Sequence, residues 1–360
     1  MRILGIETSC DETAAAVVEL TGNVGYENCS LLSNAVASSM DLHAKYGGVV
    51  PEIAARSHIE AITPVIQEAL LTASVSWEEI DAIAVTYGAG LGGSLLIGVL
   101  TARTLAITKA KPLYAINHVE GHVYANFLTS TALGGYVLPT MAPQFPMLAL
   151  IVSGGHSQIA LFSSHFEYKL LGQTQDDAIG EAFDKVAKIL GLPYPGGPSV
   201  SVAAAHGNPA TYKLPKSKMD GKYDFSFSGI KTAVLRVAQQ ACGKDYAFPS
   251  WQLSDLLDIA QVQDIAASFQ HIAIEALVDK TIMAYQEFKP ASVVIAGGVA
   301  ANNELRRQLT DRLPLAINYI DPKLCTDNAA MIACLGAFKH SLKQPTADPY
   351  SLEINPNLSM

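Results

Sequence analysis

His118 and His122 stand four positions apart in NHVEGH, Asn117 to His122. On a helical turn both imidazoles leave the same face and can share one metal ion. The spacing invites comparison with the His-Glu-x-x-His helix of zinc peptidases, but here the acid, Glu120, comes two positions after the first histidine. At about 100° per residue it lies near 200°, whereas the rings lie near 0° and 40°. Glu120 is therefore expected to point away from a metal held by the pair, which disfavours a peptidase mechanism. A third ligand is expected to be a carboxylate from elsewhere, and Asp327 at the start of the last expected helix is a good candidate. Its alternative role is to cap that helix, through itself or Thr326. Asp11 and Glu12 share a turn with Thr8 and Ser9. Carboxylates on a loop are usually just solvated, but here general-base work or metal positioning is the chemistry they could supply. Cys10 lacks any signature tying it to a base.

Two stretches must position these groups. Leu148 to Phe162, LALIVSGGHSQIALF, is an apolar run, a tight turn Ser153-Gly154-Gly155-His156-Ser157 and a second apolar run. It predicts a β-hairpin whose tip lets backbone N–H groups approach an anion, since glycine has no Cβ in the way. The plain reading is an ordinary hairpin turn. Ile3 to Leu20, ILGIETSCDETAAAVVEL, has the same strand, polar turn and strand. Two such hairpins about 145 residues apart suggest a duplicated unit and two lobes facing a cleft.

Along the rest of the chain, a third strand is expected at Glu27 to Val36 and a helix opening near Pro51, with Ile62, Val65, Ile66, Ala69 and Leu70 as its apolar stripe. Ser76 and Glu79 read as a capping box. A buried strand at Ala82 to Tyr87 leads into Gly88, Gly90 and Gly93, which match Gly-x-Gly-x-x-Gly. No acid follows at the spacing a ribose contact needs, so a turn packing helix on sheet is preferred to a dinucleotide site. Strands are expected at Pro112 to Ile116, Ser292 to Ala296 and Leu315 to Tyr319. Helices are expected at about Leu95 to Lys109, Gly180 to Leu190, Val200 to His206, Ser228 to Gln240, Leu253 to Phe288, Asn303 to Leu313 and Thr326 to His340. Asp184, Gly197 and the pair Gly297-Gly298 resemble parts that hold a nucleotide: an acid for ribose hydroxyls, glycines for close approach, a helix N-terminus for charge. Neither a P-loop nor a Gly-x-Ser-x-Gly elbow is present. Lys213, Lys216, Lys218 and Lys222 with Tyr212, Tyr223 and Phe225 form a loop suited to RNA, and equally to plain solvation. Arg306, Arg307 and Arg312 make a weaker basic strip.

The chain has 360 residues, 49% hydrophobic and 16% charged, which supports a large core divided between two lobes. A net charge of -9 excludes nucleic-acid binding over the whole surface and leaves room only for local or partner-assisted contact. Five scattered cysteines without a Cys-x-x-Cys pair suggest reduced thiols. No signal segment or long apolar span is expected, so the reading is a cytoplasmic protein off the membrane.

With these residues laid out, the sequence resembles the bacterial-type TsaD family of tRNA N(6)-adenosine threonylcarbamoyltransferases, formerly labelled glycoprotease or O-sialoglycoprotein endopeptidase. The resemblance rests on GIETSCDET (Gly5 to Thr13), HAKYGGVVPEIAARSH (His43 to His58), HVEGH (His118 to His122), VSGGHSQ (Val152 to Gln158), DDAIGEAFDKVAKILGLPYPGGP (Asp176 to Pro198), DFSFSGIKT (Asp224 to Thr232), AGGVAAN (Ala296 to Asn302) and CTDNAAMIA (Cys325 to Ala333). It implies an α/β, two-lobed actin/Hsp70/sugar-kinase-like fold with a ribonuclease-H-like mixed sheet in each lobe. The expected division is 1–124, with the helix 326–340 and the tail packing back on it, and 125–325 carrying the nucleotide turns. The resemblance implies one divalent metal, iron or zinc, on His118, His122 and Asp327. It implies a donor, threonylcarbamoyl-adenylate, contacted at Ile151, Val152, Ser153, Gly154, Gly155, Asp184, Gly197 and Asn302. Thr8, Ser9, Gly297 and Gly298 are further phosphate-turn candidates, and Asp11 and Glu12 the catalytic ones. The acceptor is the adenosine 3′ of the anticodon in tRNAs reading A-starting codons. The implied partners are a TsaB-like paralogue and a TsaE-like ATPase, with a homodimer when the chain is alone. The loop Thr129 to Pro146 is about ten residues longer than the family pattern. A metallopeptidase and a small-molecule kinase are the rival classes.

Overall fold

Residues of the first strand alternate between two buried faces, and this sets the architecture of the N-terminal unit. β1 (Arg2–Glu7) pairs antiparallel with β2 (Glu12–Thr21), and β2 with β3 (Asn28–Ser38). The structure, a computed structural model, describes residues 1–22 and 28–360; Glu27, the expected first residue of the third strand, lies outside the described residues. After the short α1 (Met40–Ala44), α2 (Pro51–Ala73) opens with proline at its first position, where the missing N–H costs nothing. Ser76 and Glu79 form the capping box, and β4 (Ala82–Gly88), α3 (Gly92–Lys109) and β5 (Leu113–Asn117) follow. Leu4 and Ile6 join Ile62, Val65 and Ile66 of α2 and Val99 of α3 in one core. Ile3 and Gly5 face the other way, toward the last helix.

β5 runs into α4 (His118–Tyr124), a 3₁₀ turn over Ala125–Phe127 and β6 (Leu128–Thr131). β6 adds parallel to β3, completing the order β5-β4-β1-β2-β3-β6. The residues divide into one unit of Met1–Pro143 with Asn318–Met360 and a second of Gln144–Ile317. The first division therefore falls after Pro143 and not after residue 124, because β6 is a strand of the first sheet.

In the second unit β7 (Met147–Val152), β8 (Ser157–Ser164) and β9 (Glu167–Gln173) are successive antiparallel neighbours. α5 (Ile179–Leu190), α6 (Gly196–Ala204), α7 (Ser228–Ala241) and α8 (Ile259–Phe288) come next, and β10 (Ser292–Ala296) pairs parallel with β7. α9 (Asn303–Arg312) ends the unit. The order β10-β7-β8-β9 repeats β4-β1-β2-β3 in sequence, direction and pairing. Each unit thus has the ribonuclease-H-like mixed sheet, and the duplicated hairpins occupy equivalent places in it.

Three expectations need correction. Residues 315–319 form no strand, because Pro314 removes a donor and the chain passes here from one unit to the other. α6 starts at Gly196, so the glycines of YPGGP are its first turn and not a loop before it. The long helix starts at Ile259, where Asp258 and Gln261 cap it, and a 3₁₀ turn precedes it at Ser250–Gln252. The last helix, α10 (Ala329–Ser341), returns to the first sheet, and its residues from Ala329 to Phe338 are all buried. A Cβ on Gly5 would lie 2.6 Å from the Ala333 nitrogen, so glycine is what lets α10 lie against β1. Among the described residues no helix is long and apolar enough to cross a membrane.

Candidate functional site

α4 begins where β5 ends because Asn117 caps it, its Oδ1 accepting from Val119 N at 2.9 Å and Glu120 N at 3.4 Å. This puts His118 and His122 on one face, with ring centroids 4.7 Å apart and planes at 79°. α10 is capped by Asn328, which accepts from Met331 N at 3.1 Å. Asp327, just before it, is therefore not the cap; its Oδ1 lies 3.4 Å from His118 Nε2 and 3.2 Å from His122 Nε2. One ligand atom from each of the three lies within 4.8 Å of the others. Glu120 is buried and takes no part in the cluster, and burial raises its carboxyl pKa.

A residue unassigned from the sequence completes the centre. Glu7 is fully buried; it accepts from Ser9 N and Thr86 Oγ1, each at 2.5 Å, and its Oε2 lies 3.1 Å from His118 Nδ1. A carboxylate can only accept, so the Nδ1 proton belongs to His118 and Nε2 is the nitrogen facing Asp327. The signal was available in the sequence: an acid ending a strand that is otherwise apolar. Burial disfavours the charged form of His118, but Asp327 and Glu7 outweigh it and hold the imidazole well above its ordinary range. Burial would raise Asp327 and Glu7, yet His118 keeps both below the usual carboxylate range. His122 has no hydrogen-bond partner on either buried ring nitrogen, and its Nε2 faces a carboxylate. Two imidazoles and a carboxylate, with a buried nitrogen lacking a hydrogen-bond partner, form a donor set that could hold one metal ion.

The first hairpin turn is tied down beside this centre. Thr8 Oγ1 donates to Ser94 O at 2.9 Å, Ser9 Oγ lies 3.1 Å from His118 Nδ1, and Leu91 N donates to Ser9 O at 2.7 Å. The Gly88–Gly93 loop is the packing turn expected, since a Cβ on Gly90 would lie 2.6 Å from Ser9 O. His58 Nε2 lies 3.0 Å from Cys10 O, and Ser39 Oγ donates to Asp11 O at 2.7 Å. Glu12 accepts from Ser38 Oγ at 2.8 Å while its other oxygen is buried without a partner. Burial, partly offset by Ser38 and reinforced by Asp11 and Asp327, raises the Glu12 carboxyl to about 7. Burial and Asp11 push the Cys10 thiol far up, which removes it as a nucleophile.

In the second unit Ile151 and Val152 end β7 as buried residues and Ser153 opens its turn, with Ser153 N donating to His156 O at 2.8 Å. Gly154 and Gly155 are exposed, and a Cβ on either would meet nothing within 4 Å. The N-terminus of α5 abuts this turn, with Ser157 Oγ accepting from Ile179 N at 2.9 Å and Gly180 N donating to Ser153 O at 3.3 Å. Asp184 accepts from Gly196 N at 2.7 Å, and burial raises its carboxyl pKa. Gly197 is open, and its carbonyl accepts from Ser201 Oγ at 2.9 Å. Asn302 caps α9 and donates to Ser201 Oγ at 3.1 Å and Gln270 Oε1 at 3.0 Å. Gly297, at φ +90°, leads into the 3₁₀ turn of Gly298 and lies against Val152 and Ser153. The glycine turn, Asp184, Gly197, Asn302 and Gly297-Gly298 are thus linked through shared neighbours. The expected RNA loop is less available: Lys216 pairs with Glu275 and Asp279 at 2.7 Å, Lys222 pairs with Glu287, and Tyr223 and Phe225 are buried. In the weaker basic strip Arg307 pairs with Glu304 and Asp311, and Arg312 with Asp279.

The family model described as "TsaD: tRNA N6-adenosine threonylcarbamoyltransferase" matches residues 30–334. The chain is 46% identical over 369 residues to a tRNA N6-adenosine threonylcarbamoyltransferase of Thermomicrobium roseum, covering 100% of this chain and 97% of that one. It is 46% identical over 361 residues to one of Dehalococcoides mccartyi, covering 100% and 99%. Among solved structures, (R)-2-hydroxyglutaryl-CoA dehydratase component A of Acidaminococcus fermentans aligns with a TM-score of 0.47 at 14% identity, over 95% of this chain and 99% of that one. By sequence over its whole length, the chain belongs to the TsaD family of tRNA N6-adenosine threonylcarbamoyltransferases.

Proposed function

We propose that this protein transfers the threonylcarbamoyl group of threonylcarbamoyl-adenylate to the exocyclic amine of the adenosine 3′ of the anticodon, in tRNAs reading A-starting codons, and releases AMP. The observation that carries the reading furthest is the convergence of His118, His122 and Asp327, with His122 buried and its ring nitrogens unsatisfied. His118, His122 and Asp327 hold one divalent ion, iron or zinc, with Glu7 orienting His118; when bound, that ion supplies Lewis-acid polarisation and orientation of the donor's oxygens. The Gly154 and Gly155 N–H groups, backed by the α5 N-terminus, steady the donor phosphate. Asp184 and Asn302 orient the adenylate, and Gly197 leaves room for it. The adenine amine attacks the carbamoyl carbon, the bond to the phosphate oxygen breaks, and AMP leaves with the electron pair. Glu12 or Asp11 accepts the amine proton; a carboxyl raised to about 7 is matched to that task near neutral pH. The partners are a TsaB-like paralogue and a TsaE-like ATPase, with a homodimer in their absence, and the setting is the cytoplasm.

The test is to incubate the metal-loaded chain and its partners with threonylcarbamoyl-adenylate and an unmodified tRNA, then to measure nucleosides by mass spectrometry. Threonylcarbamoyladenosine and stoichiometric AMP are expected. Peptide cleavage, or phosphate transfer from ATP to a small molecule, with no modified nucleoside would refute the reading.

A further inference from the structure

The second unit carries a pocket that no step above uses. It has a volume of about 560 Å³ and is walled by Lys185, Lys188 and Ile189 of α5, Lys231, Thr232 and Leu235 of α7, and Ser250 and Trp251 of the 3₁₀ turn before α8. Trp251 is 73% exposed, an unusual position for the largest side chain. Lys185 and Lys231 are paired with Asp177, at 2.7 and 3.0 Å, and Lys185 also with Glu181 at 2.6 Å. Lys188 has no ion-pair partner among the described residues, so its charge faces solvent uncompensated. An unpaired cation beside an exposed indole, on a chain of net charge -9, is a local feature and not a general surface property.

We propose that this pocket binds a single-stranded nucleotide of the substrate tRNA. Trp251 is the stacking platform for its base, Lys188 the contact for its phosphate, and the Thr232 and Ser250 hydroxyls the partners for base edge or 2′-hydroxyl. Two of the three lining ammonium groups are already paired, so the unpaired Lys188 beside the exposed indole is what favours a base with its phosphate over an apolar protein segment. Lys188 lies one turn along α5 from Asp184, so bound RNA is kept within a helical turn of the proposed donor acid. The inference rests on the reading that tRNA is the acceptor.

The experiment measures binding of an unmodified, fluorescently labelled tRNA to the full chain with its partners by anisotropy across a salt series, with threonylcarbamoyl-adenylate affinity measured in parallel. Trp251→Ala is expected to weaken tRNA binding about five- to hundredfold, and Trp251→Phe to restore most of it. Lys188→Glu is expected to reduce the slope of log K against log salt by at least about 0.7. Donor affinity stays unchanged in all three. Wild-type tRNA affinity in both Trp251→Ala and Lys188→Glu, with transfer by the unmutated chain intact, overturns this inference and leaves the transferase reading standing. Unchanged tRNA binding with loss of a protein partner overturns it in favour of a protein contact. Failure of the unmutated chain, with its partners present, to bind and modify tRNA overturns both.

Discussion

The β1–β2 and β7–β8 turns occupy the same place in two sheets of the same topology, yet they are built for opposite purposes. In the first, Thr8 and Ser9 are buried and their hydroxyls are tied to Ser94 and His118. In the second, Gly154 and Gly155 face open space. A covered turn must satisfy its polar side chains internally, and the outcome is a fixed network of acid, hydroxyl and imidazole. An open turn can leave N–H groups to water until an anion replaces it. One frame therefore presents side-chain chemistry at one copy and backbone chemistry at the other.

This contrast can be broken from either side. Replacing His122 by alanine leaves His118 and Asp327 without the third donor; metal measured by mass spectrometry should fall from one per chain to near none, with transfer down by more than about a hundredfold. A metal-free variant with full transfer would remove the metal from the mechanism. Glu7→Gln keeps the shape but weakens the acceptor for His118, so metal affinity by competition with a chelator should drop about 10- to 100-fold. In the open turn, Gly155→Val should raise the donor dissociation constant about tenfold, one charge-assisted hydrogen bond being worth about 1.5–3 kcal/mol, with the thermal midpoint little changed because its Cβ meets nothing. An unchanged donor affinity would mean that the phosphate sits elsewhere. The mildest test is pH. Glu12 must be ionised to accept a proton, so transfer should rise about tenfold per unit up to about pH 7 and then level, and Glu12→Gln should abolish the rise. Because the folded carboxyl titrates above its ordinary 4.5, the same group's contribution to fold stability is present below that value and declines as pH rises through about 7.

The hairpins, the shared His118/His122 face and the absence of Glu120 from the cluster were readable because each depends on a short period or spacing. What escaped depends on contacts across long separations. Glu7 meets His118 and Thr86 only after β1, β4 and β5 are side by side. Asn328 and not Asp327 caps α10, a choice decided by one residue of register that sequence spacing leaves open. The stretch 315–319 has the composition of a strand, but a strand needs a neighbour, and the chain is crossing between units there. The lysines and aromatics of the loop at 212–225 look like a nucleic-acid surface in one dimension, until Glu275, Asp279 and Glu287 of α8 are seen to neutralise two of them.

The return of α10 to the first sheet also has a consequence in time. His122 is synthesised about 200 residues before Asp327, an interval of roughly 10–40 s at 5–20 residues per second. Throughout that interval the nascent chain has only a pair of imidazoles to offer a passing ion. The three-donor cluster is complete only when helix 329–341 docks on the first sheet, so its assembly is a late event relative to synthesis of the two histidines.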